Sequence, residues 1–146
     1  KLLSENPLNA YFVALMTNDI NADYGLGTLS DTAGENSFVG YMKNIIDTVH
    51  AHAPNAVIFL MSGYQNNNDI ITQYSEMVKQ LASLYSYCFY IDFINEAETI
   101  LNESKYTAYG HYDSIGYIEV ANDIERITEK CILDNVSYFK NFGLTN

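Results

Sequence analysis

Two short runs place side chains suited to proton transfer and oxyanion binding beside regular elements. The first is Tyr109-Gly110-His111-Tyr112-Asp113-Ser114-Ile115-Gly116-Tyr117. His111 follows a glycine in a hydroxyl-rich loop, and Tyr117, Val120, Ala121, Ile124, Ile127 and Cys131 then recur at helical spacing. Asp113 or Ser114 can cap that helix by accepting from one of its orphan N–H groups. A histidine at such a junction can be held rigidly and still face solvent, which suits a general base. The competing reading is a loop histidine that only hydrogen-bonds locally. The second run is Phe12-Val13-Ala14-Leu15-Met16-Thr17-Asn18-Asp19, an apolar segment that ends in a carboxamide. An asparagine there can donate to a developing oxyanion, worth about 3 kcal/mol of barrier. Its competing reading is a loop cap through an Asx-turn. His50 and His52 are weaker candidates, because they fall near a helix end where positive charge is favourable without any catalysis.

The elements that must position these groups alternate. Tyr11 to Met16 reads as a strand buried on both faces, followed by a long polar loop from Thr17 to Gly34. Phe38, Tyr41, Met42, Ile45, Val49 and Ala53 predict a helix capped by Asn36 or Ser37 and ended by Pro54-Asn55. Ala56–Met61 is the second strand. After the polar run Gln65-Asn66-Asn67-Asn68, Ile70 to Tyr85 is the second long amphipathic helix. Cys88–Phe93 is the third strand, residues 95–104 a short helical turn, and the last helix runs to about Leu133. An aromatic tail follows, with Tyr138, Phe139 and Phe142, free to pack back onto the sheet or onto a partner. The order β-α-β-α-β-α gives a parallel sheet whose carboxyl edge faces ligand. With no repeat and no linker, residues 1–146 form a single domain.

Composition narrows the function classes. At 146 residues, 48% hydrophobic and 14% aromatic, the chain can build a real core. A net charge of −11 argues against nucleic acid or an anionic membrane as partner, and no apolar run is long enough to span a bilayer. Thirteen tyrosines and no tryptophan suit half-buried or sugar-facing positions, or simply reflect a compositional bias. Cys88 and Cys131 lie far apart in apolar contexts, as buried thiols do, and form neither a zinc pattern nor a disulfide framework. Three strands make a thin sheet, and the first residues carry neither an initiator methionine nor a signal peptide. The expectation is therefore a domain incomplete at its N-terminus, whose sheet is completed by the remainder of the domain or by another chain.

The run Gly110-His111-Tyr112 followed by Ile115-Gly116-Tyr117 and a helix resembles the last signature block of the SGNH (GDSL-type) hydrolases. Thr17-Asn18-Asp19 after the first strand resembles their Gly-x-Asn-Asp block, with Met16 where glycine is usual. The two blocks stand in the family's order, and the resemblance covers about Tyr11 to Asp134. It implies a three-layer α/β/α sandwich with a flavodoxin-like parallel sheet of about five strands, of which this chain holds the C-terminal portion. It also implies a serine esterase that hydrolyses an oxygen ester, such as an acyl group on a carbohydrate. His111 would be the general base and acid, and Asn18 an oxyanion-hole donor. Thr17 and Tyr112, beside them, would face substrate. No cofactor or metal is expected. The family's Gly-Asp-Ser nucleophile block and second oxyanion glycine are not present, and Ser62 and Ser114 do not match that block. Ala108 stands where the family has the acid that orients the histidine, which leaves Asp92, Glu96, Asp113 or a backbone carbonyl for that task.

Two other classes compete. A catalytically inactive SGNH-like domain could use the tyrosine-rich edge to bind carbohydrate or protein. Asp19 and Asp92, both at strand ends, could instead hold Mg²⁺ for phosphoryl transfer. Neither a phosphate-cradling glycine loop nor a basic residue accompanies that pair.

Overall fold

The computed structural model describes residues 7–64, 68–102, 105, 107–108 and 111–140, with the backbone alone for 107, 108 and 111. Its centre is a parallel sheet of β1 (Ala10–Val13), β2 (Val57–Met61) and β3 (Cys88–Ile91), in the order β1-β2-β3. The register pairs Ala10 with Val57 and Tyr11 with Ile58 on one side of β2, and Ile58 with Cys88 and Phe59 with Phe89 on the other.

Alternation along β2 builds a core on each face. Ile58 and Leu60 point to α2 (Phe38–His52) and α3 (Asp69–Ser83), among Phe38, Met42, Ile46, Val78 and Leu81. Val57 and Phe59 point to the opposite face, toward α4 (Phe93–Glu96), α5 (Glu98–Leu101), α6 (Ser114–Asp134) and α7 (Val136–Phe139). Helices thus cover both faces. Each large apolar side chain so buried contributes about 1.5–3 kcal/mol. The helix starts follow the expected chemistry. Ser37 Oγ accepts from Gly40 N at 3.0 Å, Asn68 Oδ1 from Ile70 N at 3.0 Å, and Asp113 Oδ1 from Gly116 N at 2.7 Å.

Four expectations are corrected. β1 is buried at Val13 but not on both faces, because no described strand lies beyond it, and Phe12 is 51% exposed. The polar stretch after it opens with a one-turn helix, α1 (Thr17–Asn21), instead of a loop. Cys131 is half-buried rather than fully buried. The His111 segment is a short antiparallel ladder rather than a plain loop, with β4 (Thr107–Ala108) against β5 (His111–Tyr112). The tail folds back onto the sheet: the Phe139 ring lies 4.8 Å from Phe89 and 6.1 Å from Phe59. Phe142 lies outside the described residues. Among the described residues no helix is long and apolar enough to cross a membrane.

One buried acid ties the connection after β3 to α6. Asp123 Oδ2 accepts from Thr99 N at 2.9 Å and Thr99 Oγ1 at 2.8 Å, and its Oδ1 accepts from Arg126 at 2.7 Å. Burial alone would raise this carboxyl's pKa, but the hydrogen bonds from Thr99 and Arg126 outweigh it and hold it below 3.8. A lowered native pKa contributes stability that is complete above the unfolded value and is lost as pH falls through the native one. Wild type should therefore exceed Asp123→Asn in urea unfolding by about 1–3 kcal/mol at neutral pH. The gap should close below about pH 4. A gap that stays constant across that range would mean that the charge of Asp123 is not what stabilises the junction.

Candidate functional site

The candidate site lies at the carboxyl edge of the sheet. β1 ends at Val13, and Met16 then turns inward and is buried, with Sδ 3.9 Å from Ser75 Oγ on α3. Met16 thus plugs the space beneath the strand end. Gly63, just past β2, leaves room for this plug: a Cβ there would meet Ile71 Cγ2 and lie 2.9 Å from Met16 Sδ, so one of those side chains would have to shift. Gly63 N donates to Ser75 Oγ at 3.0 Å, which locks this contact.

Directly beyond the plug, α1 carries Thr17 and Asn18. Asn18 is exposed, and its backbone carbonyl accepts from Ala22 N at 2.9 Å. No side chain caps α1, so Asn18 is not the Asx-turn cap that was its competing reading. Its carboxamide makes no hydrogen bond to a described residue, while Thr17 beside it is half-buried.

The loop that follows is tightly tied. Asp31 accepts from Ser37 Oγ at 2.6 Å and Thr28 Oγ1 at 2.7 Å, bonds that hold its carboxyl below the usual range, Ser37 contributing most. Lys43 Nζ donates to the carbonyls of Leu29 and Asp31, each at 2.7 Å. Gly27 has φ +76°, and a Cβ there would lie 2.6 Å from Ser37 Oγ. Tyr74 Oη on α3 donates to Tyr24 O at 2.7 Å.

α6 runs antiparallel to β3. Thr99, past the strand's end, bonds Asp123, while Asn135 lines the same groove as Cys88 and Phe89 at the strand's start. The helix has 21 residues, about 30 Å, against about 13 Å for the four residues of β3. Its N-terminal half therefore extends past the carboxyl edge, and β5, with the backbone of His111, leads into that half. Asn18 and the His111 backbone are thus both on the carboxyl-edge side. The His111 side chain, and so its distance from Asn18, lies outside the described residues. Tyr112 is half-buried, with its ring in edge contact with Tyr117 at 6.0 Å.

The acids available to orient His111 already have local work. Asp92 Oδ1 accepts from Asn95 Nδ2 at 2.8 Å, Glu96 pairs with Lys130 at 2.6 Å, and Asp113 caps α6. Ala108 is the direct ladder partner of His111 and carries no carboxylate. Ser62 is buried and accepts from Ile94 N at 2.8 Å, so it joins β2 to α4. Burial pushes the Cys88 thiol up to about 12 and raises Cys131 as well, which keeps both protonated. His50 stacks on Tyr87 at 3.9 Å and His52 Nδ1 lies 2.8 Å from Thr48 O, both at the end of α2 that leads into the start of β2. They are far from the carboxyl edge by topology. Among the described residues no group of three metal-ligating side chains converges. Asp123 was missed in the sequence, although a lone acid among the apolar positions Gly116, Val120, Ile127 and Cys131 was its signal.

No family model, no curated protein and no solved structure matches this chain.

Met16 acts here through packing. Met16→Ala should lower stability by about 2–5 kcal/mol in chemical denaturation, as expected for a buried side chain whose cavity cannot collapse. A loss below about 0.5 kcal/mol would show that the space beneath β1 is not tightly filled.

Proposed function

We propose that this chain supplies part of a serine ester hydrolase of the SGNH type, with a flavodoxin-like sandwich of more strands than the three described. In this reading His111 takes the proton from a serine outside this chain and later returns it to the leaving alcohol. Asn18 donates from its carboxamide to the oxyanion of the tetrahedral intermediate. Thr17 and Tyr112 face the bound ester, for which an acyl group on a carbohydrate is the preferred class. No metal or cofactor takes part. The observation that carries the reading is the Asn18 carboxamide, which makes no hydrogen bond among the described residues and is exposed where β1 gives way to α1, on the same side of the sheet as the segment that leads His111 into α6.

A second reading, an inactive domain of the same fold that binds carbohydrate or protein, is favoured by two observations. Met16 stands at the position matched to the block's glycine, and Asp92, Glu96 and Asp113, the acids weighed for orienting His111, each make a local contact.

The two readings separate in the full-length protein with a short-chain aryl ester as substrate. His111→Ala should abolish turnover, and Asn18→Ala should lower kcat about a hundredfold with unchanged stability. A wild-type rate in His111→Ala removes the histidine from the mechanism. No turnover by the wild type, together with saturable glycan binding, selects the binding domain.

A further inference from the structure

A carboxamide serves an oxyanion only if its frame is held, because a misplacement of about 1 Å can cost about a hundredfold in rate. α1 offers little hold of its own. It has five residues, none of them buried, and no side-chain cap. Only Ile20 rests partly against the core. A helix this short is not stable by itself, so what fixes it must come from outside.

Two consecutive buried residues of α3 reach its two ends. Ser75 reaches the start. Its Oγ donates to Met16 Sδ at 3.9 Å and accepts from Gly63 N at 3.0 Å. Met16 immediately precedes α1, and its carbonyl accepts from Ile20 N at 2.9 Å. Tyr74 reaches the far end. Its Oη donates to Tyr24 O at 2.7 Å, and Tyr24 N donates in turn to Asp19 O at 3.1 Å. Burial, with the charges of Asp19 and Asp23, raises the pKa of this phenol, so it keeps the proton it donates. Asn18 stands between the two tethers, one residue before Asp19 and two after Met16.

We infer that Tyr74 and Ser75 are positioning residues: they clamp α1 at both ends and so fix where the Asn18 carboxamide stands. Their effect on turnover rests on the ester-hydrolase reading, because they act only through Asn18. The hydroxyls are the tethers. The Tyr74 ring packs on Phe38 at 4.8 Å, so Tyr74→Phe removes one tether and keeps the ring contact. Ser75→Ala removes the other and keeps the methylene. An oxyanion donor that has lost its frame weakens binding of the transition state and leaves binding of the ground state alone, so kcat falls while KM holds.

The test uses the full-length protein and a short-chain aryl ester. Each variant, shown to be folded by circular dichroism, should lose about tenfold in kcat with KM unchanged, less than the loss of the donor itself. In an Asn18→Ala background neither change should lower kcat further, because the group they position is gone. Losses that simply add to that of Asn18→Ala overturn the clamp, as does a wild-type kcat in both single variants. If Ser75→Ala does not fold, Tyr74→Phe, the milder change, gives the same readings. A wild-type protein without turnover refutes the ester-hydrolase reading instead. The clamp is then judged by the side-chain amide signals of Asn18 in ¹⁵N NMR spectra. They shift in the folded variants if the two hydroxyls fix α1, and unchanged signals overturn it.

Discussion

β2 is the strand on which both cores depend. Val57, Ile58 and Leu60 are almost completely buried, and their side chains alternate between the helix layers on the two faces of the sheet. A shift of one residue in its pairing would exchange the two faces, placing Phe59 where Ile58 and Leu60 now pack. Its two parallel neighbours fix that register through their backbones, and the aromatic set of Phe12, Phe59, Phe89 and Phe139 fixes it through side chains. Everything at the carboxyl edge inherits its position from this arrangement, because α1, Gly63 and α4 each begin within a few residues of a strand end.

Sequence reading was strongest where burial follows a simple period. α2 and α3 were legible because Phe38, Met42, Ile45 and Val49, and Ile71, Tyr74, Val78 and Leu81, repeat at helical spacing and follow a polar cap, although the fully buried residue of the Ile45-Ile46 pair is Ile46. β2 was legible as an unbroken apolar run. β1 was misread on one face because its composition shows what its side chains could bury, whereas Phe12 depends on what lies beyond the edge. α1 and the β4–β5 ladder were missed because each is too short to establish a period, and α1 lacks a side-chain cap. At the candidate site, the sequence supplied residue types and order. It could not show that Asn18 leaves its carboxamide uncommitted while Asp92, Glu96 and Asp113 do not, since those facts arise from contacts with Asn95, Lys130 and Gly116.

Met16 and Asp123 show how residues of unexpected type are accommodated. A methionine at the end of β1 is tolerated because Gly63 leaves room for its sulfur and α3 offers Ser75 beside it. An aspartate in the buried stripe of α6 is tolerated because Thr99 presents both an N–H and a hydroxyl to it. Both adjustments lie between elements distant in sequence, and both act at the connections that follow strands.

The segment between α1 and α2 carries a different implication. Asp31 and Ser37 fasten it from within, Lys43 ties it to α2, and Tyr74 ties it to α3. Its conformational freedom is thus surrendered when the chain folds, before any molecule arrives at the rim. Whatever settles against this wall meets a surface whose shape is already decided, so selection there works by fit and exclusion, with little scope for the wall to adapt.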